Sequence, residues 1–378
     1  MDFKLTEEQE ALRDLALKIV GDHADHEHLK DIEGTPEWFD RGLWGELAKA
    51  SLLGIAVPEA HGGGGLQFFD LCLLLETIGR HCVPVPAWPT LVLGAVPIVE
   101  FGTEEQQRRL LPGVVAGKTI LSAALIDTRS EDPLAPTVTA TRDGAVWRLD
   151  GEKMCVPAVH LADRLLVSAR TGEDAVGVFL LDPRAAGVES ERLDTTEGEP
   201  QFCVSLSGAT VPDEDVLGDP TAGRSTIEWI VERATAALCA VEVGVAERAL
   251  CMTAEYTSSR EQFGKPIAKF QAVAQRAADA YIDVTAMRWT TRQAVWRLSA
   301  GLPASEEVAI AKFWAGDGGH RVVFAAQHLH GGIGLDLDYP LYRSFVWSKQ
   351  IELTLGSATR HLVRLGDAMA NAPARARG

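Results

Sequence analysis

Arg260, Gln262, Phe263 and Gly264 lie in the run Tyr256-Thr-Ser-Ser-Arg-Glu-Gln-Phe-Gly-Lys-Pro-Ile-Ala-Lys-Phe-Gln271, which sets a cation, an amide, an aromatic ring and a glycine at fixed spacing. A guanidinium suits paired phosphate oxygens and a ring stacks on a base, so this run offers recognition of a dinucleotide. A second reading stays open from spacing alone: Arg260 caps the carbonyls of a helix end and Phe263 is a buried plug. Further on, His328 and His330 precede Gly331, Gly332 and Gly334. A lone His-x-His lacks the carboxylate or cysteine partners of a metal site, so no metal is expected there. Glu242 sits in an apolar segment where burial would raise its pKa toward that of a proton acceptor, although pairing with an arginine or lining a bundle is the competing use. Four glycines after His61 suggest either close backbone approach or a flexible turn.

These residues must be held by helices. Ile227, Ile230, Ala234, Ala237, Val241, Val245, Ala249, Met252 and Tyr256 recur every three or four positions, as do Phe270, Val273, Ala277, Tyr281, Val284 and Met287. Gly264 permits a turn between the two stripes, and Pro266 suits the first turn of the following helix. Thr6-Glu-Glu-Gln9 and Thr103-Glu-Glu-Gln106 each spell a capping box at a helix start. Helices are expected over 38–52, 67–82 and 87–100. After Gly117 the period falls from about 3.6 to 2, giving strands over 119–126, 145–149, 164–169, 176–181 and 202–207. From Ser225 to about Ala370 the chain is helical again, and Trp289, Trp296, Trp314 and Trp347 should fill helix contacts. The Ala/Arg-rich tail 372–378 is expected to fray. The expected fold is α+β with an N-terminal helical domain (1–117), a central antiparallel β barrel or sandwich (118–223) and a C-terminal helical bundle (224–378).

With 36 basic against 53 acidic residues and a net charge of -17, the 378-residue chain is a poor general partner for nucleic acid or an anionic membrane. The six cysteines show neither metal-ligand spacing nor disulfide-scaffold density, which fits a reducing cytoplasm. No apolar signal core or membrane-length stretch is read, so a cytosolic protein is expected.

Arg260-Glu-Gln-Phe-Gly-Lys-Pro-Ile267, Phe270-Gln271, His330-Gly-Gly-Ile-Gly334, Asp338-Tyr-Pro340 and Arg343 follow this layout, with Leu53-Gly-Ile-Ala-Val-Pro-Glu59 and Val211-Pro-Asp-Glu-Asp-Val-Leu-Gly218 at matching places. Over essentially its full length the chain resembles the acyl-CoA dehydrogenase family. The resemblance implies a four-helix bundle at the C-terminus and FAD, its ring in one subunit's cleft and its ADP half held by a neighbour. The ADP-side contacts it implies are Arg260 at the pyrophosphate, Phe263 near the adenine, and Gln262, His328, Gly331 and Gly332.

Family members remove the substrate's α proton with a glutamate while the β hydrogen leaves as hydride to the flavin. The common place for that base matches Leu355 and the alternative place matches Ala234, and neither carries a carboxylate. The flavin-facing Trp-Ile-Thr-like triplet reads Cys155-Val-Pro157, so the shielding ring and a backbone N–H are lost. The preceding loop, Ile126-Asp-Thr-Arg-Ser-Glu-Asp132, lacks the family's Thr and Gly-Ser pair. Together these departures resemble the non-catalytic β subunit of bacterial α2β2 acyl-CoA dehydrogenases, such as those acting on CoA thioesters of steroid side chains. A catalytic α partner would then carry the glutamate. The other function kept in view is a self-sufficient homo-oligomeric dehydrogenase or oxidase with an unrecognised base, Glu242 or Glu352. The electron acceptor is not legible in the sequence.

Overall fold

The computed structural model describes residues 4–371, so the tail 372–378 lies outside the described residues. In chain order come α1 (Glu7–Asp22), α2 (His26–Glu33), α3 (Arg41–Lys49), α4 (Phe68–His81), a π-helical turn over Trp88–Ala95 leading into α5 (Val96–Phe101), and α6 (Glu104–Val115). Then follow β1 (Leu121–Ala124), β2 (Ile126–Asp127), β3 (Thr139–Asp143), β4 (Val146–Pro157), β5 (Arg164–Arg170), β6 (Val176–Leu181), β7 (Val188–Leu193) and β8 (Gln201–Pro212). The last part holds α7 (Gly223–Ser259), the two-residue strands β9 (Glu261–Gln262) and β10 (Lys265–Pro266), α8 (Gln271–Ser299), α9 (Ser305–Phe313), α10 (Gly319–His330), α11 (Leu341–Leu353) and α12 (Ala358–Asn371). This is the expected order of helices, a central run of strands and further helices. No helix among the described residues is long and apolar enough to cross a membrane.

Both capping boxes form: Gln9 N donates to Thr6 Oγ1 at 3.2 Å and Thr6 N to Gln9 Oε1 at 3.1 Å, and Thr103 and Gln106 repeat the pair at 3.2 and 3.0 Å. The helix expected over 38–52 is shorter. Trp38 takes φ 48°, which no helix accommodates, and Asp40 caps α3 by accepting from Leu43 N at 2.9 Å. The segment α2 is not among the expected helices.

The chain separates into two compact units. One comprises the chain up to His26, Cys72–Val83 and everything from Thr235; the other comprises Glu27–Leu71 and Pro84–Ala234. In the second unit the strands form one sheet in the order β1-β5-β3-β4-β8-β7, with β2 on β4 and β6 on β5. The pairing is mostly antiparallel, but β1 and β5 run parallel, from Leu121↔Arg164 to Ala124↔Val167. Strands β3 and β7 are not among the expected ones. Exposed or half-buried residues dominate both, so their apolar alternation is weak. Under the sheet Trp147 and Phe179 meet at 5.4 Å amid Leu149, Leu165 and Val204.

The glycine run is tied to its own chain: Gly64 N, Gly65 N and Leu66 N each donate at 2.9 Å to the carbonyls of Gly54, Val57 and Ile55. A Cβ on Gly63 would stand 2.1 Å from Val57 O, so the glycine is required by close backbone approach.

In the first unit α4 and α7 cross at glycines. A Cβ on Gly244 would stand 1.9 Å from Glu76 O, and one on Gly79 would stand 2.1 Å from Val241 O. Both contacts are with backbone, which cannot rotate away. Gly244→Ala is therefore expected to cost at least the ~1–3 kcal/mol of stability typical of overpacking, read as a lower urea midpoint.

Candidate functional site

The first unit carries the Arg260 corner. After α7 ends at Ser259, Glu261 and Gln262 pair antiparallel with Pro266 and Lys265, and the turn between them is Phe263-Gly264 with φ of 53° and 76°. Two successive positive φ values make the tight primed turn of a two-residue hairpin, which explains Gly264 and projects Phe263 outward. Phe263 is 92% exposed, so the buried-plug alternative is excluded. Pro266 is also corrected: it closes the hairpin and precedes a short 3-10 turn (Ile267–Lys269), and α8 begins only at Gln271.

Arg260 is exposed and makes no side-chain hydrogen bond or ion pair among the described residues. Its backbone is fixed: Arg260 N donates to Tyr256 O and Ile267 N to Arg260 O, both at 2.8 Å. Gln262 is exposed beside it. Phe263 touches Phe270 edge-on at 6.1 Å, and Lys265 Nζ lies 4.3 Å from the Phe270 ring centre.

The second cluster is joined to this corner by a contact that sequence reasoning does not single out. The His330 ring stacks on Tyr256 at 4.4 Å and 18°; its Nδ1 lies 2.8 Å from Ala326 O and its Nε2 3.1 Å from the Tyr339 hydroxyl. His330 is thus a buried strut between the end of α7 and the end of α10, with both ring nitrogens engaged. The apolar stripe ending at Tyr256 and the family-like His330 are the only signals for it. His328, two residues back and on another face of α10, is exposed, and its carbonyl accepts from Gly331 N. Gly331 takes φ 66° and ψ -141°, and neither Gly331 nor Gly332 has any atom within 4 Å of where a Cβ would stand. The result is an open shelf: a free guanidinium, an outward ring and bare glycine backbone. Exposed Leu335 (69%) and Leu337 (63%) extend it as apolar surface.

At the positions matched to a catalytic base, Leu355 is half-buried between α11 and α12 with φ 58°, followed by Gly356 at 103°. A left-handed leucine costs about 1–2 kcal/mol and persists only where its surroundings hold it; His361 Nε2 lies 3.0 Å from its carbonyl. Ala234 is fully buried on α7, and its carbonyl accepts from Trp88 Nε1 at 3.1 Å.

The two alternative bases are both engaged. Glu352 meets Lys349 Nζ at 2.5 Å and His320 Nδ1 at 3.6 Å. Glu242 is fully buried, accepts from Ser348 Oγ at 2.8 Å, and is pushed up to about 8, chiefly by burial. Gly319 makes room for it, since a Cβ there would stand 2.2 Å from Glu242 Oε1. Buried Lys312 is nearby and holds the carbonyls of Ile351 and Glu352. Because the folded-state pKa of Glu242 lies above its unfolded value, the folded state holds the proton more tightly. Stability is therefore expected to fall as pH rises from about 4.5 to about 8. Urea unfolding followed across that window should show the slope in the native chain, at most about 1.4 kcal/mol per pH unit from this one group, and Glu242→Gln should flatten it.

In the second unit β4 ends at the triplet Cys155-Val-Pro157. A bulge falls between Lys153 and Val156 against β8, with Cys155 at φ 54° and exposed. Pro157 has no N–H to donate, and its carbonyl accepts from Ser122 Oγ at 2.6 Å. The 126–132 loop leaves from β2, which pairs Ile126 with Met154 and Asp127 with Lys153. Asp127 and Lys153 form a fully buried ion pair, and Lys153 Nζ donates to Ser168 Oγ at 2.9 Å. Burial lowers the Lys153 pKa to about 8 against the opposing pull of Asp127.

Known proteins are similar to this chain in sequence and fold. The acyl-CoA dehydrogenase N-terminal domain matches residues 6–118 and the acyl-CoA dehydrogenase C-terminal domain matches 221–370. The acyl-CoA dehydrogenase FadE27 of Mycobacterium tuberculosis is 38% identical over 99% of this chain and 100% of its own. Among solved structures, a chain of a variant of the Tcur3481-Tcur3483 steroid ACAD is 46% identical with a TM-score of 0.90, covering 96% of this chain and 98% of that one. A chain of the ChsE4-ChsE5 complex from Mycobacterium tuberculosis is 38% identical with a TM-score of 0.93, covering 99% and 100%.

Proposed function

This chain belongs to the acyl-CoA dehydrogenase family, and on that premise we propose that it is the non-catalytic subunit of a heteromeric enzyme that desaturates an acyl-CoA thioester. The observation that carries this reading is the asymmetry between two sets of residues in one chain. The ADP-side set is present and open: Arg260 is exposed without a side-chain partner among the described residues, Phe263 projects, and Gly331 and Gly332 leave bare backbone. The base is missing, with Leu355 and Ala234 at its two places.

The shelf fits the ADP half of FAD. Arg260 would take the diphosphate, Phe263 would pack near the adenine, and Gln262, His328, Gly331 and Gly332 would close over it. When bound, FAD accepts the substrate's β hydrogen as hydride. The strand that would face the ring does not fit in the same way. Cys155 replaces the shielding ring and Pro157 removes a donor, so no proton or hydride step is assigned to this chain's own cleft. The α proton goes to a glutamate of the catalytic partner, which shares FAD with this chain across their interface in an α2β2 assembly. Support for a heteromer comes from the solved relatives, whose names each pair two proteins, and one of them is named as a steroid ACAD. A CoA thioester of a steroid side chain is the substrate class this favours.

The test is purification of this chain alone and co-expressed with an acyl-CoA dehydrogenase-like partner. Alone it is expected to be poorly soluble or flavin-poor, because the open shelf and its apolar surroundings are shaped for a partner's cofactor. A stable yellow homo-oligomer with one flavin per chain overturns the reading.

A further inference from the structure

In the first unit α1, α4, α7 and α8 line a half-open cavity of about 510 Å³ that no part of the proposed FAD or acyl-CoA chemistry uses. Its volume lies in the range of small-molecule sites. Four guanidiniums line it, Arg13, Arg80, Arg288 and Arg292, against two carboxylates, Glu76 and Glu247. In a chain of net charge -17 this is a local reversal of sign.

The internal pairing does not cancel it. Glu247 bridges two arginines, meeting Arg80 Nη1 at 2.6 Å and Arg288 Nη2 at 2.8 Å. Glu76 reaches Arg288 Nε only at 3.9 Å, and burial pushes its carboxyl pKa up against the pull of Arg288 and Arg292. Arg13 also meets Asp14, outside the lining, at 2.8 Å. Arg292 has its pKa lowered, first by burial and then by Arg288 and Arg13, against the opposing pull of Glu76 and Glu247. Leu17 and Leu73 add apolar wall, and the Thr77 hydroxyl already donates to Leu73 O at 3.0 Å, so the guanidiniums are the main donors of the lining.

We propose that this cavity binds a phosphate monoester, its dianionic head held among Arg13, Arg80, Arg288 and Arg292 and its organic part against Leu17 and Leu73. Forks arriving from α1, α4 and α8 suit a tetrahedral group that accepts along several directions, whereas a planar carboxylate matches a single fork. The cavity is larger than inorganic phosphate needs, which is why an ester is named. The inference rests on the fold of this unit and not on the subunit role proposed above.

Isothermal titration of the co-purified complex with glycerol 3-phosphate and with inorganic phosphate, at matched ionic strength in chloride, tests it. Saturable binding of the ester is expected, tighter than that of inorganic phosphate, and roughly tenfold weaker or more in Arg292→Gln and in Arg13→Gln, as the loss of one charge-assisted contact implies. Arg13 lies at the rim, with 38% of its side chain exposed, so its variant should fold even if Arg292→Gln does not. Binding should persist in Arg260→Ala, which separates this cavity from the FAD shelf. No saturable binding, equal affinity in folded variants, or loss of binding in Arg260→Ala overturns the proposal.

Discussion

Leu355→Glu, introduced into a complex whose partner has lost its catalytic glutamate, is expected to restore no dehydrogenation. Removal of the partner's glutamate should abolish turnover, and the new carboxylate should fail to replace it. A base acts only where the thioester is already placed beside it, and a misplacement of about 1 Å can cost about two orders of magnitude in rate. The backbone at Leu355 keeps an unusual left-handed turn with Gly356 behind it, so the position can be rebuilt locally. On the proposed reading this chain departs from the family at further positions. Pro157 cannot donate, Cys155 stands where the family has a ring, and the 126–132 loop is committed to the buried Asp127–Lys153 pair. Steady-state assay with an artificial electron acceptor, with flavin per complex counted in parallel, reads the outcome. Rescue by Leu355→Glu would mean that this chain positions its own substrate and cofactor.

Arg260→Ala in the assembled complex is expected to weaken FAD retention roughly ten- to hundredfold, because a charge-assisted phosphate contact is worth about 1.5–3 kcal/mol. The fold should be untouched, since the Arg260 side chain is exposed and holds nothing else among the described residues, while its backbone bonds to Tyr256 and Ile267 survive the change. Urea midpoint and flavin loss on gel filtration separate the two effects. Unchanged FAD affinity would make Arg260 a surface cation only.

The helical and β layout is legible in the sequence because long apolar stripes and two capping boxes carry their own local signals. Less is legible where local and tertiary demands differ. Trp38 reads as helical because its ring is apolar, yet a positive φ turns it out of helical geometry. Pro266 reads as a helix starter and is the closing residue of a hairpin whose turn uses both Phe263 and Gly264. The candidate binding residues are readable from their motifs, but their arrangement is not. The Tyr256–His330 stack that brings the Arg260 corner beside the Gly331–Gly332 shelf joins two positions far apart in the chain, and no local pattern encodes it. Glu242 illustrates the converse: its burial is legible from its apolar helix, but its partner Ser348 and the space left by Gly319 lie on other helices.

The most direct test of the proposed role is the structure of the co-purified complex with FAD bound. The account predicts half as many flavins as chains, each with its diphosphate against Arg260 of this chain and its ring system in the partner's cleft beside the partner's glutamate. Flavin rings beside Met154–Pro157 of this chain, in numbers equal to the chains, would contradict it.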